Sequence, residues 1–462
     1  MQQYDAIIIG AGQAGVPLAK KLAKAGKKVA LIEKRWVGGT CVNDGCTPTK
    51  TWVASAKAAY DAAHSAALGV TIKGYTVNMP RIKKRKDDIV LHARNGSQKA
   101  MEEMPNVDLI FGDATFTGDK TLSVALNQGG VIDLKGDWIF INTGTKTIIP
   151  PIEGLRDIKY LTSTSILELD YVPKHLLIIG ANYIGMEFGQ MFRRFGSEVT
   201  MLERAPRVLG REDMDIAEAM HEILTTEGIK IHTNAQATSF KKTAKGNIKA
   251  AIVADGKPMM IKCSHVLVAV GRAPQTDTLN LKKTKVETDD RGNIKVNDQL
   301  ETNVPGIYAL GDVNGGQAFT HIAYNDYTIV YRNLIEKQNL SIKDRPVPYC
   351  MFTDPQLGRI GITEDEAKKQ KLKNIKTVVM PMTAVARAAE VGDTRGLMKA
   401  VVNTKTKKIL GAAIVGTEGG EIMSVLQMAM EGGITYDKIR YFVFAHPTYS
   451  ESLNNLFMRL DD

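Results

Sequence analysis

Two cysteines stand five positions apart in the segment Gly38-Gly-Thr-Cys41-Val-Asn-Asp-Gly-Cys46-Thr-Pro-Thr-Lys50. Along a straight helix that separation is about 7.5 Å of rise, beyond the usual Cα separation of a disulfide. Asn43-Asp-Gly45 can supply the bend that bridging needs, and a helix continuing through Thr47-Pro-Thr-Lys50 would aim its positive end at the sulfurs and favour thiolate. Such a pair either cycles between dithiol and disulfide or ligates a metal. No second Cys or Cys/His pair nearby in sequence completes a four-ligand set, so a redox-active disulfide is the better reading. Near the other end, Ala445-His446-Pro-Thr-Tyr-Ser-Glu451 puts a histidine and a carboxylate in one short segment. Glu451 behind the imidazole would set tautomer and basicity, letting His446 take a proton from an attacking thiol. Alone, such a histidine is more often structural, and the cysteine pair elsewhere reverses that reading.

The elements that would position these groups recur. An apolar strand at residues 4–9 leads into Gly10-Ala-Gly12-Gln-Ala-Gly15, a helix, a strand at 27–32 and Glu33. The same order returns in the strand at 175–179, Gly180-Ala-Asn182-Tyr-Ile-Gly185, a helix through Phe195, the strand at 198–202 and Glu203. In both copies the acid stands 23 residues after the first glycine. Glycines here let backbone approach a pyrophosphate at a helix N-terminus, and the acid can accept ribose hydroxyls. Two matched units imply two dinucleotide sites. In the second, Asn182 replaces the central glycine; asparagine tolerates left-handed backbone, so the turn is expected to survive with less room for pyrophosphate. Glu203 favours an unphosphorylated ribose, while Arg204 and Arg207 could pair with a 2′-phosphate, so NADH is expected over NADPH with NADPH left open.

Each unit later has an apolar strand ending in a glycine turn, Trp138 to Gly144 and Val266 to Gly271-Arg272. Residues 302–312 read as a strand delivering Asp312 to a helix start, and a final segment from about residue 345 reads as a closing, dimer-forming domain. There Met423, Met428 and Met430 read as packing residues. The expected fold is α/β, two Rossmann-like dinucleotide-binding domains plus a C-terminal α+β domain. Its divisions fall at 1–148, 149–275, 276–345 and 346–462.

The 462 residues, 44% apolar and 24% charged, exclude a single small module and a disordered chain. Net charge is +10, spread over a long chain, which is no nucleic-acid signature. The one basic run, Arg81-Ile-Lys-Lys-Arg-Lys86, lacks interleaved aromatics, runs into Asp87-Asp88 and reads as a solvated helix face. Four cysteines are too few for a secreted disulfide framework. With no leader pattern and no apolar stretch of membrane-spanning length, a cytoplasmic protein is expected.

Together these motifs resemble the class I pyridine nucleotide-disulfide oxidoreductases, the flavoenzyme family of dihydrolipoamide dehydrogenase, glutathione reductase and mercuric reductase, over essentially the whole chain. The resemblance implies FAD in the first unit and the nicotinamide nucleotide in the second. It implies that Cys46 faces the flavin, that Cys41 exchanges with substrate, and that Lys50 sits near the flavin and pairs with Glu187 of Gly185-Met-Glu-Phe-Gly189. Asp312 would bind the ribityl chain with Thr320 and the Ala114 backbone nearby, and Gly39, Thr40, Gly144, Gly271 and Arg272 would line the cofactor sites. A homodimer is implied, with His446 and Glu451 acting on the partner chain's disulfide and no metal in the site. His321 falls where lipoamide dehydrogenases often carry a histidine and reads as structural; Cys263 and Cys350 match no redox position and read as buried.

Departures narrow the substrate. Mercuric reductases carry a C-terminal cysteine pair, absent from Leu456-Phe-Met-Arg-Leu-Asp-Asp462, so typical mercury reduction is not expected. His446, Glu451 and Glu203 resemble dihydrolipoyl dehydrogenase, the alternative reading, but Asp44 and Thr47 make the redox loop polar where that enzyme is apolar. The segments at 319–326, 387–388 and 393–396 are similar to a branch that includes reductases of reactive chlorine or hypothiocyanous species. The expected enzyme passes electrons from NAD(P)H through FAD and the Cys41–Cys46 pair to a small oxidised substrate.

Overall fold

In the computed structural model, which describes residues 1–461, strand β1 (Gln2–Ile9) ends in four residues that are at most 4% exposed. A strand buried on both faces takes parallel neighbours and helical cover. Helix α1 (Gly15–Lys24) supplies that cover: its buried residues Gly15, Leu18, Ala19, Leu22 and Ala23 follow the helical period and form one stripe. After β2 (Val29–Glu33) come the short helix α2 (Gly39–Asn43), then α3 (Cys46–His64) and α4 (Met79–Glu102).

Three strands follow, β3 (Val107–Gly118), β4 (Thr121–Leu126) and β5 (Val131–Ile141). β1 pairs in parallel with β2 and β5, β2 with β3, and the strand Ile307–Ala309 adds to β5. The long strands β3 and β5 also pair antiparallel with β4, so they serve two layers. β6 (Thr145–Thr147) pairs antiparallel with Arg272–Pro274. Strands β1 to β6 and helices α1 and α2 belong to one compact unit, Met1–Thr51, Lys83–Ile148 and Gly271–Arg345, while α3 and α4 each run partly into the other unit.

A second unit comprises Trp52–Ile82, Ile149–Val270 and the chain from Pro346 onward. β7 (His175–Ile179), helix α5 (Tyr183–Phe195), β8 (Glu198–Leu202) and β9 (Lys230–His232) repeat the βαβ pattern, and His265–Val268 completes a parallel four-stranded sheet. A three-stranded antiparallel sheet spans Ala235–Lys242, Ile248–Ala254 and Lys257–Cys263. The C-terminal part is a five-stranded antiparallel sheet backed by the helix Gly419–Glu431. Two Rossmann-like units and an α+β segment are thus present, as the sequence predicts.

Two expectations need correction. Met423 packs in the core, but Met428 is 73% exposed, on the side of its helix away from the sheet. The basic run is not uniformly solvated: Lys86 is 3% exposed and pairs with Asp87 at 2.5 Å, because burying its ammonium requires a carboxylate beside it. Among the described residues no helix is long and apolar enough to cross a membrane.

Candidate active site

The two glycine turns share one local architecture. Gly10 has φ +108°, and a Cβ there would stand 2.3 Å from the carbonyl oxygen of Asn142; a Cβ at Gly15 would stand 2.0 Å from the oxygen of Gly10. Gly180, at φ +102°, and Gly185 are closed in by Ala269 and Gly180 in the same way. Only glycine fits such positions. Each acid then pins its own turn. Glu33 accepts the N–H of Ala11 at 2.9 Å and that of Arg35 at 2.7 Å; Glu203 accepts those of Ala181 at 3.0 Å and Ala205 at 2.9 Å. Asn182 has φ −113°, an extended conformation, so the position demands no left-handed backbone and its tolerance of one is not the reason it fits. Its Oδ1 accepts the Tyr183 N–H at 2.9 Å.

A residue that the motifs did not single out organises the first turn. Asn142, 8% exposed at the end of β5, accepts the Gly15 N–H at 3.0 Å and donates to the Leu310 carbonyl at 2.9 Å. Its only sequence signal is its place before Thr143-Gly144. Gly39, at φ +62°, abuts the same turn, since a Cβ there would lie 2.7 Å from the Cα of Gly12.

The cysteines lie on either side of a break. Cys41 is on α2, Asp44 leaves helical geometry at φ −134°, ψ 8°, and Gly45 passes so near the Thr40 carbonyl that a Cβ would come within 2.9 Å of it. Cys46 then opens α3, which carries Thr47 and Lys50. Both cysteines are thiols, Cys41 half-buried and Cys46 exposed, and Cys46 Sγ is 3.3 Å from the Thr320 hydroxyl. A hydrogen bond to Cys46, then burial, pushes the Cys41 thiol up, with Thr320 and Lys50 pulling the other way. Thr40, beside Cys41, is exposed.

Asp312 accepts the Thr145 hydroxyl at 3.2 Å, and Arg272 donates to that hydroxyl oxygen at 2.8 Å and to the Thr145 carbonyl at 2.6 Å. Burial raises the Asp312 carboxyl above its ordinary range against the pull of Arg272. Beside them Gly144 has φ +67°, and the Thr143 hydroxyl is buried with no hydrogen-bond partner. A buried orphan hydroxyl two residues before the Thr145 that meets Asp312, together with a glycine turn closed by an acid, fits a bound dinucleotide such as FAD. Ala114 is 2% exposed within β3, opposite Val124, and Gly271 has φ +137°. His321 is exposed and stacks on Phe319 with ring centroids 5.3 Å apart.

In the second unit, Glu187 of α5 accepts the Phe352 N–H at 2.8 Å. His446 Nδ1 lies 3.0 and 2.9 Å from the two Glu451 oxygens. Cys263 is 2% exposed and Cys350 half-buried. Arg207 is committed to the carbonyls of Gly210 at 3.3 Å and Glu212 at 3.0 Å, whereas Arg204 is exposed.

Comparison with known proteins adds the following. Residues 4–326 match the family model described as pyridine nucleotide-disulphide oxidoreductase, and residues 347–457 match that family's dimerisation domain. The chain is 38% identical over 461 residues to the probable pyridine nucleotide-disulfide oxidoreductase RclA of Escherichia coli (strain K12), covering 99% of each. It is 36% identical to a mercuric reductase of Staphylococcus aureus, over 99% of this chain and 82% of that one. It is 33% identical to a dihydrolipoyl dehydrogenase of Thermus scotoductus, over 98% and 96%. A solved structure described as the Cu(II) complex of HOCl-induced flavoprotein disulfide reductase RclA from Escherichia coli superposes with a TM-score of 0.90 over 100% of both chains.

Proposed function

The chain belongs to the pyridine nucleotide-disulphide oxidoreductases, and from that premise we propose that it is an FAD-dependent enzyme drawing two electrons from NADH and delivering them through Cys41 and Cys46 to a small oxidised substrate. The observation that carries this reading is the bend at Asp44-Gly45, which lets Cys41 hydrogen-bond to Cys46 at the start of α3. Bound FAD would supply the two-electron link between the nicotinamide and the disulfide. Gly10, Gly12 and Gly15 would admit its pyrophosphate, Glu33 its adenosine ribose, and Asp312 with Thr320 its polar chain near the cysteines.

The protein's own groups account for the substrate half of the reaction. Cys41 would attack the electrophilic atom of the oxidised substrate, forming a bond to sulfur as the substrate's leaving group departs. Cys46 would then attack the Cys41 sulfur, so that the disulfide forms and the bound fragment leaves with the electron pair. His446 of the partner subunit would supply the proton that the first leaving group, a hydroxide for a hypohalous or hypothiocyanous substrate, takes up as it departs, with its ring fixed by Glu451 of the partner subunit. The match of residues 347–457 to a dimerisation domain supports the homodimer this requires.

Glu203 held by two backbone N–H groups, and Arg207 engaged with carbonyls, support NADH over NADPH. The polar loop residues Asp44 and Thr47, and a relative described as HOCl-induced, support a substrate of the reactive-chlorine or hypothiocyanous class. The low cysteine count supports a cytoplasmic setting. Replacing Cys41 with Ser tests the scheme: hypothiocyanite turnover should vanish while NADH still bleaches the flavin. Unchanged turnover would take the disulfide out of the mechanism.

A further inference from the structure

The bend between the cysteines is held from outside as well as by its own backbone. Asn43, 9% exposed, donates to the carbonyls of Val37 at 3.1 Å and Gly39 at 2.9 Å, while its Oδ1 accepts from Nε of Arg94 at 2.6 Å. Asp44 accepts from one terminal nitrogen of Arg35 through both oxygens, at 3.2 and 2.9 Å. Both guanidiniums lie over the Trp36 ring, their central carbons 4.2 Å (Arg35) and 4.0 Å (Arg94) from its centroid. Two like charges share one ring because each has a redox-loop oxygen to answer it. All five residues belong to the first unit, and Arg94 reaches the loop from α4, 51 positions away.

We propose that Arg35, Trp36 and Arg94 are positioning residues that clamp the Asn43-Asp44 bend, keep the two sulfurs close in the dithiol, and thereby bias the pair toward the disulfide. The inference rests on the reading of Cys41 and Cys46 as a redox pair. A disulfide requires Cα atoms closer than a straight helix allows residues five apart. With the bend already set, each thiol meets its partner at high effective concentration; with the bend loosened, every closure must first re-form it.

The test equilibrates the purified full-length protein, as isolated and without pyridine nucleotide, in graded mixtures of reduced and oxidised dithiothreitol. Closure of the protein disulfide there yields reduced dithiothreitol, so thiols and electrons balance. Differential alkylation with mass spectrometry of the peptide containing Cys41 and Cys46 reads the equilibrium. Trp36→Ala and Arg94→Met should each shift it at least fivefold toward the dithiol, about 20 mV for a two-electron couple, while Trp36→Phe, which keeps a ring, stays within twofold. Values within twofold for both Trp36→Ala and Arg94→Met, or a shift toward the disulfide, would overturn the clamp and leave the redox pair standing. If the unsubstituted protein forms no Cys41–Cys46 disulfide at any ratio, both readings fall together.

Discussion

The imidazole Nδ1 of His446 lies 2.9 Å from one carboxylate oxygen of Glu451 and 3.0 Å from the other. A carboxylate at Nδ1 holds the proton on that nitrogen of the neutral ring and leaves Nε2 to exchange protons with a reacting group. Glu451→Gln removes the charge and keeps the shape, so substrate turnover should fall by about ten- to a hundredfold. Reduction of the flavin by NADH should be unaffected, because that half-reaction needs no proton at this ring. Steady-state and single-turnover rates separate the two, and an equal loss in both would deny the pair an acid–base role.

A second expectation concerns ionisation of the cysteines. Cys41 is raised chiefly by its hydrogen bond to Cys46 and next by burial. The Cys41 proton is therefore retained to higher pH than in an ordinary cysteine. In Cys46→Ala the burial effect remains, opposed by Thr320 and Lys50, so Cys41 should titrate at lower pH than in the parent. Thiolate absorbance at 240 nm of the protein held reduced reads this directly. An unmoved Cys41 titration in the variant would show that Cys46 does not set it.

The chemistry of this protein was legible from sequence where it is local. Glycine turns, the acid 23 residues on and the polar bend between two cysteines are short-range patterns with one physical solution each. Contacts closed by the fold were not legible. Nothing in sequence ties Asn142 to Gly15 across 127 positions, or Arg94 to Asn43 across 51. Periodicity marks which face a helix buries, but Lys86 shows that one charge on an otherwise polar run can turn inward when a neighbouring carboxylate meets it. Asn182 shows the reverse error, in which the residue type suggests left-handed backbone and the chain there is extended.

The proposed preference for NADH rests on Glu203. Each of its oxygens accepts one backbone N–H, which fixes the side chain at the end of β8, where a 2′-phosphate would be repelled. NADH should therefore exceed NADPH in kcat/KM by about tenfold or more, a factor that corresponds to about 1.4 kcal/mol. Glu203→Ser should narrow the gap mainly through the KM for NADPH. Equal specificity in the unsubstituted enzyme would mean that Arg204, the exposed cation beside it, offsets the repulsion.

Cys263 provides a pH test of the fold that is independent of the redox chemistry. It ends the strand Lys257–Cys263, is 2% exposed, and burial pushes its thiol from 9.0 up to about 12. The folded protein thus holds this proton more tightly than the unfolded chain does. The resulting stabilisation is fully present below pH 9 and is lost as pH rises through about 12. It amounts to something on the order of 4 kcal/mol. At neutral pH the residue should resist iodoacetamide in the native state and react once denatured. Chemical denaturation at several pH values should give a steeper fall in stability between pH 9 and 12 for the parent than for Cys263→Ala, which has no thiol to ionise. The variant isolates this group from the buried tyrosines, whose hydroxyls burial also raises, and identical slopes would mean that Cys263 reaches solvent before it ionises.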